Sequence, residues 1–165
     1  YVALRCAYEG VAVAGWKIGL TSPRMQALLG IDSPIAGAVL GSRVLASGAV
    51  VARAEHVRLG LETEIAVRLG ADLPAAGAPY TREQVTAAVA AVCAAIEIVD
   101  DRAADYAVTD IGSLVADNSW NEGVVLGAFR DSCPTSPPSP GAYCATGSRS
   151  TAAAVLTCSA TRSSR

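Results

Sequence analysis

Three carboxylates and one ammonium are the groups in this sequence that could do chemistry together. Glu62 and Glu64 lie two residues apart in LETEIAVRL (61–69), and Glu97 lies in the apolar run AAIEIV (94–99). Because side chains alternate along a strand, a Glu-x-Glu pair points both carboxylates to one side. A carboxylate buried like Glu97 is costly unless it is paired or bound to a metal. On neighbouring strands the three would form an all-oxygen site for Mg²⁺ or Mn²⁺. For Glu62 and Glu64 the alternative is a solvated strand face.

Lys17 is the only lysine of the chain, and it lies in the apolar segment VAVAGWKIGL (11–20). A lysine that is kept from water beside a divalent cation is suited to proton transfer. The alternative is a surface lysine whose aliphatic stem covers apolar surface at a sheet edge.

Two hydroxyl residues, Thr21 and Ser22, follow this segment and are candidates for binding a substrate carboxylate. Ser22 stands directly before Pro23, and serine followed by proline is equally typical of a helix N-cap and first turn.

Three further polar groups are predicted to be structural. Asp100, Asp101 and Arg102 are expected to form an ion pair, and Asp117-Asn118-Ser119 a tight polar turn. The single histidine, His56, lies between charged stretches and is expected to be exposed rather than catalytic.

Strands must position these side chains. Period-two patterns predict strands over 11–20, 61–69, 96–101 and 122–129, with short β runs over 31–60 broken by Gly37, Gly41 and Gly48. Helices are predicted from Pro23 to about Leu29 and from Thr81 to about Ala95, with a loop from Ala71 to Pro79 between them. Strands outnumber helices and do not repeat as βαβ units, so we expect an α+β fold around a β core.

The composition excludes several classes of protein. The chain has 165 residues, 52% of them hydrophobic, and a net charge of −2. It can therefore bury a core, and it has no basic surface for nucleic acid. No apolar run is long enough for a membrane span. The five cysteines include no C-x-x-C pair and there is one histidine, which argues against a disulfide framework or a multi-histidine metal site. Lacking a signal peptide and a start Met, the chain is expected to be a fragment of a longer cytoplasmic protein.

Residues 131–165 differ in character from residues 1–130. They contain eight Ser, five Thr, four Pro and three Cys, with one Val and one Leu. This composition predicts a disordered, low-complexity tail beside a single domain. A linker or tail is one interpretation, and a segment translated out of frame is the other.

Four blocks in order carry a family resemblance: GWKIGLTSPRMQ (15–26), LETEIAV (61–67), AIEIVDDR (95–102) and VADNSWNEGVVLG (115–127). Over about residues 1–130 the chain resembles the 2-keto-4-pentenoate hydratase and 4-oxalocrotonate decarboxylase branch of the fumarylacetoacetate hydrolase superfamily. The resemblance implies a partial catalytic domain with the β-rich mixed sandwich and roll of that superfamily's C-terminal domain, incomplete here. It also implies a homo-oligomer.

By the same resemblance, Glu62, Glu64 and Glu97 fall on the family's metal-binding carboxylates, and Lys17 on its active-site lysine. The implied function is a metal-dependent lyase that adds water to a small 2-hydroxydienoate or 2-oxo acid in aromatic-compound catabolism. The cation would stabilise enolate charge while Lys17 moves the proton. The alternatives are a 4-oxalocrotonate decarboxylase, a C–C hydrolase and an inactive metal-binding fragment. Against the hydrolase, His56 lies in no motif that matches the catalytic histidine of those enzymes.

Two departures from the family pattern are visible. Many hydratases of this branch read Asp-x-Pro-Asp-x-Gly after the first helix, and here residues 32–37 read DSPIAG. Ile35 therefore stands at the position of a proposed acid/base partner of the lysine. The tail, in addition, does not match the family's C-terminal half.

Overall fold

The computed structural model describes residues 2–131 and 153–156 of the chain. Its helices are α1 (Val2–Glu9), α2 (Pro23–Leu28), α3 (Arg82–Ala88) and α4 (Ile111–Ala116). Its strands are β1 (Val13–Gly19), β2 (Ile35–Leu40), β3 (Val44–Ala46), β4 (Leu59–Leu69), β5 (Val89–Asp100), β6 (Asn121–Leu126), β7 (Arg130–Asp131) and β8 (Ala153–Leu156). Within the described ranges, no helix is long and apolar enough to cross a membrane.

The strands form one mixed sheet in the order β2-β1-β8-β4-β5-β6-β3, and β7 pairs with β5 outside this path. The long antiparallel ladder between β4 and β5 runs from Leu59 opposite Asp100 to Leu69 opposite Val89. A mixed sheet with a few short helices agrees with the predicted α+β class. The finer assignment to a sandwich and roll stays a prediction.

The hydrophobic core and the carboxylates share one face of this sheet. In the β4–β5 register, Glu62 lies opposite Glu97, and Ala66 lies opposite Cys93. Opposed residues of an antiparallel pair point to the same side, and so do residues two apart along a strand. The buried cluster on this face consists of Val39, Ala66, Cys93, Ala95 and Val124. The metal-site candidates are therefore placed at the margin of the core.

The predicted helix from Thr81 is correct at its start and wrong at its end. Thr81 and Gln84 form a capping box, as S/T-x-x-E/Q patterns do. The helix stops at Ala88, however, and residues 89–95 belong to β5. Alanine is the best helix former, but intrinsic propensity is a small energy per residue, and here a continuous ladder with β4 outweighs it.

Helix α2 confirms the prediction for residues 23–29. Ser22 is its N-cap, and the Ser22 Oγ accepts a hydrogen bond from the Met25 N–H at 3.3 Å. Gly30 follows the helix with a φ of +65°, a conformation that glycine adopts without penalty.

Gly37 does not break the β run, contrary to the prediction, but lies inside β2 opposite Lys17. A Cβ at this position would lie 2.8 Å from the Asn118 carbonyl oxygen and 3.3 Å from the Lys17 side chain. Glycine here makes room for the lysine and for the 118–120 turn.

The tail contributes a strand to the sheet. Ala153–Leu156 forms β8, parallel to β1 and antiparallel to β4, and Asp131 belongs to β7. The prediction of disorder throughout 131–165 is wrong for these residues, because the apolar run AAVL can pair with the edges of two strands. Residues 132–152 and 157–165 lie outside the described part, and the boundary at residue 130 stays a prediction.

Candidate metal centre

The three glutamates converge. One carboxylate oxygen from each of Glu62, Glu64 and Glu97 lies within 4.8 Å of the other two. Glu97 is 2% exposed and Glu64 6% exposed, whereas Glu62 is exposed to solvent. The solvated-face alternative is therefore wrong for Glu64, which points into the protein.

The negative charges of the three carboxylates in this cluster favour the binding of a cation. Although Glu62 as a whole residue is exposed, its carboxyl group is partly shielded from solvent by the neighbouring groups. This shielding and, second, the negative charge of Glu97 raise the pKa of Glu62 above its ordinary value, whereas the positive charge of Lys17 lowers it. Like charges at this spacing disfavour one another's ionisation. Three carboxylate oxygens from a rigid ladder are ligands that Mg²⁺ and Mn²⁺ accept, with the remaining positions left to water or substrate oxygens. The donor set fits such an ion.

Lys17 joins this cluster from β1. It is 6% exposed, and its Nζ lies 3.1 Å from Glu97 Oε1. A lysine this deeply buried is not a surface residue at a sheet edge, so that alternative is wrong. The structure thus brings together all four candidates of the metal and proton-transfer set, while their roles stay predictions.

The structure assigns Ser22 to the cap of α2. Thr21 is exposed. If the strand continued, Thr21 would point to the same side as Lys17, but β1 ends at Gly19 and Leu20 has a φ of +57°, so the alternation of side chains stops before Thr21. Binding of a substrate carboxylate by Thr21 or Ser22 stays a prediction.

Two asparagines near the site were missed by the sequence argument. Asn121 is buried, and its Nδ2 donates to Glu97 Oε1 at 2.8 Å. Asn118 is also buried, and its side chain makes two hydrogen bonds to the main chain of Ala38 in β2. The Asn118 Oδ1 accepts from the Ala38 N–H, and the Asn118 Nδ2 donates to the Ala38 carbonyl oxygen. Asn118 lies in the predicted polar turn, which is present with Asn118, Ser119 and Trp120 all at positive φ, in the left-handed region. The clue available in the sequence was a pair of amides just before an apolar strand.

The predicted ion pair near residue 100 exists with different partners. Arg58 Nε lies 2.5 Å from Asp101 Oδ1, and Arg102 pairs with Asp117 and Glu122. The hydrogen bond from Arg58 holds the pKa of Asp101 below its usual range. These contacts agree with a structural role for the three residues, which stays a prediction.

His56 is partly buried rather than exposed, and its Nδ1 lies 3.1 Å from the Ala52 carbonyl oxygen. It is not among the residues of the carboxylate cluster.

Comparison with known proteins gives the cluster a family context. No protein-family profile matches the chain. A 2-keto-4-pentenoate hydratase of Burkholderia vietnamiensis is 39% identical over 120 residues, which are 73% of this chain and 45% of that protein. A 4-oxalocrotonate decarboxylase of a Pseudomonas species is 32% identical over 121 residues, 73% of this chain and 46% of that protein.

The solved structures agree. The 4-oxalocrotonate decarboxylase of Pseudomonas putida G7, complexed with magnesium and adipate, matches with a TM-score of 0.68 and 29% identity over 76% of this chain and 47% of that one. This chain belongs to the 2-keto-4-pentenoate hydratase and 4-oxalocrotonate decarboxylase family. It spans a little under half the length of these relatives.

Ile35 marks a departure within this hydratase and decarboxylase family that the structure can place. It opens β2 opposite Gly19. A Cβ on Gly19 would lie 3.4 Å from Lys17 Nζ and 3.6 Å from Ile35 Cγ1, so the isoleucine and the ammonium border the same small space. An apolar group therefore stands near the lysine, at the position where the resemblance to the hydratases implies an acid.

Proposed function

We propose that the protein is, or is part of, a divalent-cation-dependent lyase that adds water to a small 2-hydroxydienoate or 2-oxo acid. The convergence of Glu62, Glu64 and Glu97 within 4.8 Å, with Lys17 at 3.1 Å from Glu97, carries the proposal. Relatives named as hydratases and a magnesium-bound neighbour support it.

Each residue has a chemical task in this proposal. The three glutamates would hold Mg²⁺ or Mn²⁺, and the ion would supply positive charge for an enolate oxygen of a 2-oxo acid. Glu97 also holds Lys17 by their ion pair, which keeps the ammonium beside the buried part of the carboxylate cluster. Lys17 donates a proton to the terminal carbon of the dienolate as the conjugated ketone forms, and the neutral amine then accepts a proton from water as it adds. The ammonium returns that proton to C3 of the resulting enolate, which gives the hydroxy-ketone.

Decarboxylation of 4-oxalocrotonate is the second candidate, and Ile35 is the observation that favours it. Hydration needs protons delivered to two carbons and one removed from water, whereas loss of CO₂ leaves an enolate that takes up a single proton. With an apolar residue beside Lys17, a reaction that requires a single proton carrier is the less demanding of the two.

The test is the absorbance of the conjugated substrate in the presence of Mn²⁺. Loss of 2-hydroxypenta-2,4-dienoate absorbance with formation of 4-hydroxy-2-oxopentanoate would support the hydratase. Release of CO₂ from 4-oxalocrotonate would support the decarboxylase. Glu64→Gln and Lys17→Met should each lower kcat by at least about 100-fold. Arg130→Gln, on a peripheral strand, is the matched surface control. Mn²⁺ binding without turnover of either acid would favour the inactive fragment.

We further propose that the protein works on small acids of aromatic catabolism in the cytoplasm, as a homo-oligomer. The resemblance supports this assignment. Light scattering of the purified chain tests the assembly, and a monomer at micromolar concentration would contradict it.

A further inference from the structure

Glu97 Oε1 is held by two donors from different strands. Lys17 Nζ lies 3.1 Å from it, and Asn121 Nδ2 donates to it at 2.8 Å. We propose that Asn121 is a positioning residue that fixes the Glu97 carboxylate in the orientation required for cation binding. This inference rests on the proposed function, since it assigns Glu97 to the metal site.

A β-bulge is what brings Asn121 to the carboxylate. Glu97 lies opposite Val124, so regular alternation would place Glu122 on the Glu97 face and Asn121 on the other face. Instead Ile98 lies opposite Gly123 and Val99 opposite Asn121, so that β6 has one extra residue, Glu122, at this point. The bulge rotates the amide of Asn121 toward Glu97, and bulges near active sites commonly redirect a side chain in this way.

Contacts on both sides hold the bulge in place. The side chain of Glu122, turned away from the cluster, pairs with Arg102. A Cβ on Gly123 would lie 2.7 Å from the Arg43 carbonyl oxygen, so only glycine lets the strand approach the 41–43 turn this closely. The orientation of Asn121 is therefore determined by the backbone rather than by its own rotamer alone.

The contacts of the Glu97 carboxylate indicate the role of the Asn121 amide. Both donors contact Oε1 of Glu97, so this oxygen is held by an ion pair and by a neutral amide together. Hydrogen bonds to a ligating carboxylate orient it, and losing one typically weakens metal binding by about 10- to 100-fold. Asn121 donates whatever the charge of Lys17, because an amide does not titrate.

The experiment measures Mn²⁺ affinity of the full chain by electron paramagnetic resonance of free Mn²⁺, with folding followed by circular dichroism. Asn121→Ala and the similarly sized Asn121→Leu should both weaken Mn²⁺ binding by about tenfold or more. Asn118→Ala is the matched control, since the Asn118 side chain hydrogen-bonds to the main chain of Ala38 in β2 rather than to Glu97. It should lower the Tm and leave the Mn²⁺ affinity of the folded protein within about twofold.

A double-mutant cycle separates positioning from general destabilisation. In a Glu97→Ala background Asn121→Ala should change Mn²⁺ affinity little, because its acceptor is gone, whereas in a Glu62→Gln background its effect should persist. Folded Asn121 variants that bind Mn²⁺ like the unchanged chain would overturn the inference. If Glu62→Gln and Glu64→Gln also leave Mn²⁺ affinity unchanged, the proposed function fails with it. If those two weaken binding and Asn121→Ala does not, only the role of Asn121 is wrong.

Discussion

Lys17 Nζ lies 3.1 Å from Glu97 Oε1, and the two side chains are 8% and 2% exposed. Two opposite charges this far from water depend on one another, because each alone would be a buried ion without a counter-charge. The lysine that is proposed to move a proton is thus also the counter-charge of the buried Glu97 carboxylate.

Removing this lysine should destabilise the metal-free protein. Lys17→Met leaves Glu97 without its counter-charge, and we expect the free energy of unfolding to fall by about 3–5 kcal/mol in urea titrations with EDTA present. The double variant Lys17→Met/Glu97→Gln should recover much of this loss, because it removes both charges. A single variant as stable as the unchanged chain would show that the pair contributes nothing.

Gly37→Ala should destabilise the protein, whereas the same substitution at Gly60, another glycine within a strand, should be tolerated. The new methyl group would lie 2.8 Å from the Asn118 carbonyl oxygen and 3.3 Å from the Lys17 stem, which forces strand and turn apart. Overpacking of this kind costs about 1–3 kcal/mol. Gly60 in β4 is the control, since its Cβ would meet Val99 at an ordinary 3.6 Å. Equal Tm values for Gly37→Ala and Gly60→Ala would contradict the expectation.

The local patterns of the sequence predicted the parts of the fold that depend on neighbours in the chain. The Glu-x-Glu spacing placed Glu62 and Glu64 on one face of a strand, and Ser22 with Pro23 predicted the start of α2. For Lys17 the sequence left two alternatives, a buried lysine and a surface lysine at a sheet edge, and only the proximity of Glu97 in the structure decides for burial.

What the sequence did not predict depends on pairing between distant segments. Residues 89–95 are alanine-rich and gave a helical pattern, and only the register with β4 makes them a strand. The strand at Ala153–Leu156 forms because it pairs with β1 on one side and with β4 on the other. Asn121 was overlooked because the bulge that turns it toward Glu97 is a property of the β5–β6 register.

The stability of the fold should fall in acid through Asp101. Arg58 and then Tyr106 and the Ala103 N–H stabilise its charged form, and the net effect, against the cost of burial, is a lowered pKa. A lowered folded-state pKa contributes stability above the unfolded value of about 3.9, and the contribution is lost as the pH falls through the folded pKa. Asp101→Asn should cost about 1.5–3 kcal/mol at pH 7 and much less near pH 3. Denaturation at both pH values checks this, and a difference independent of pH would contradict it.

Substitutions at Ser22 can separate its capping contact from substrate binding. Ser22→Ala removes the acceptor for the Met25 N–H and should cost about 1 kcal/mol. Ser22→Asp keeps a good cap and adds a negative charge. If Ser22 also binds a substrate carboxylate, this variant should have near-normal stability and a raised KM with either proposed acid. Unchanged KM in Ser22→Asp would leave Ser22 with the capping role alone.

A carboxylate at position 35 should alter catalysis rather than the fold. Ile35 opens β2 and borders the same space above Gly19 as Lys17 Nζ, so Ile35→Asp would bring a proton acceptor close to the ammonium. If hydration is limited by the lack of a second proton carrier, kcat for 2-hydroxypenta-2,4-dienoate should rise by about tenfold or more. Ile35→Asn, with the same shape and no titratable group, should leave kcat unchanged. Equal rates in the two variants would mean that Lys17 carries out all the proton transfers or that another residue assists it.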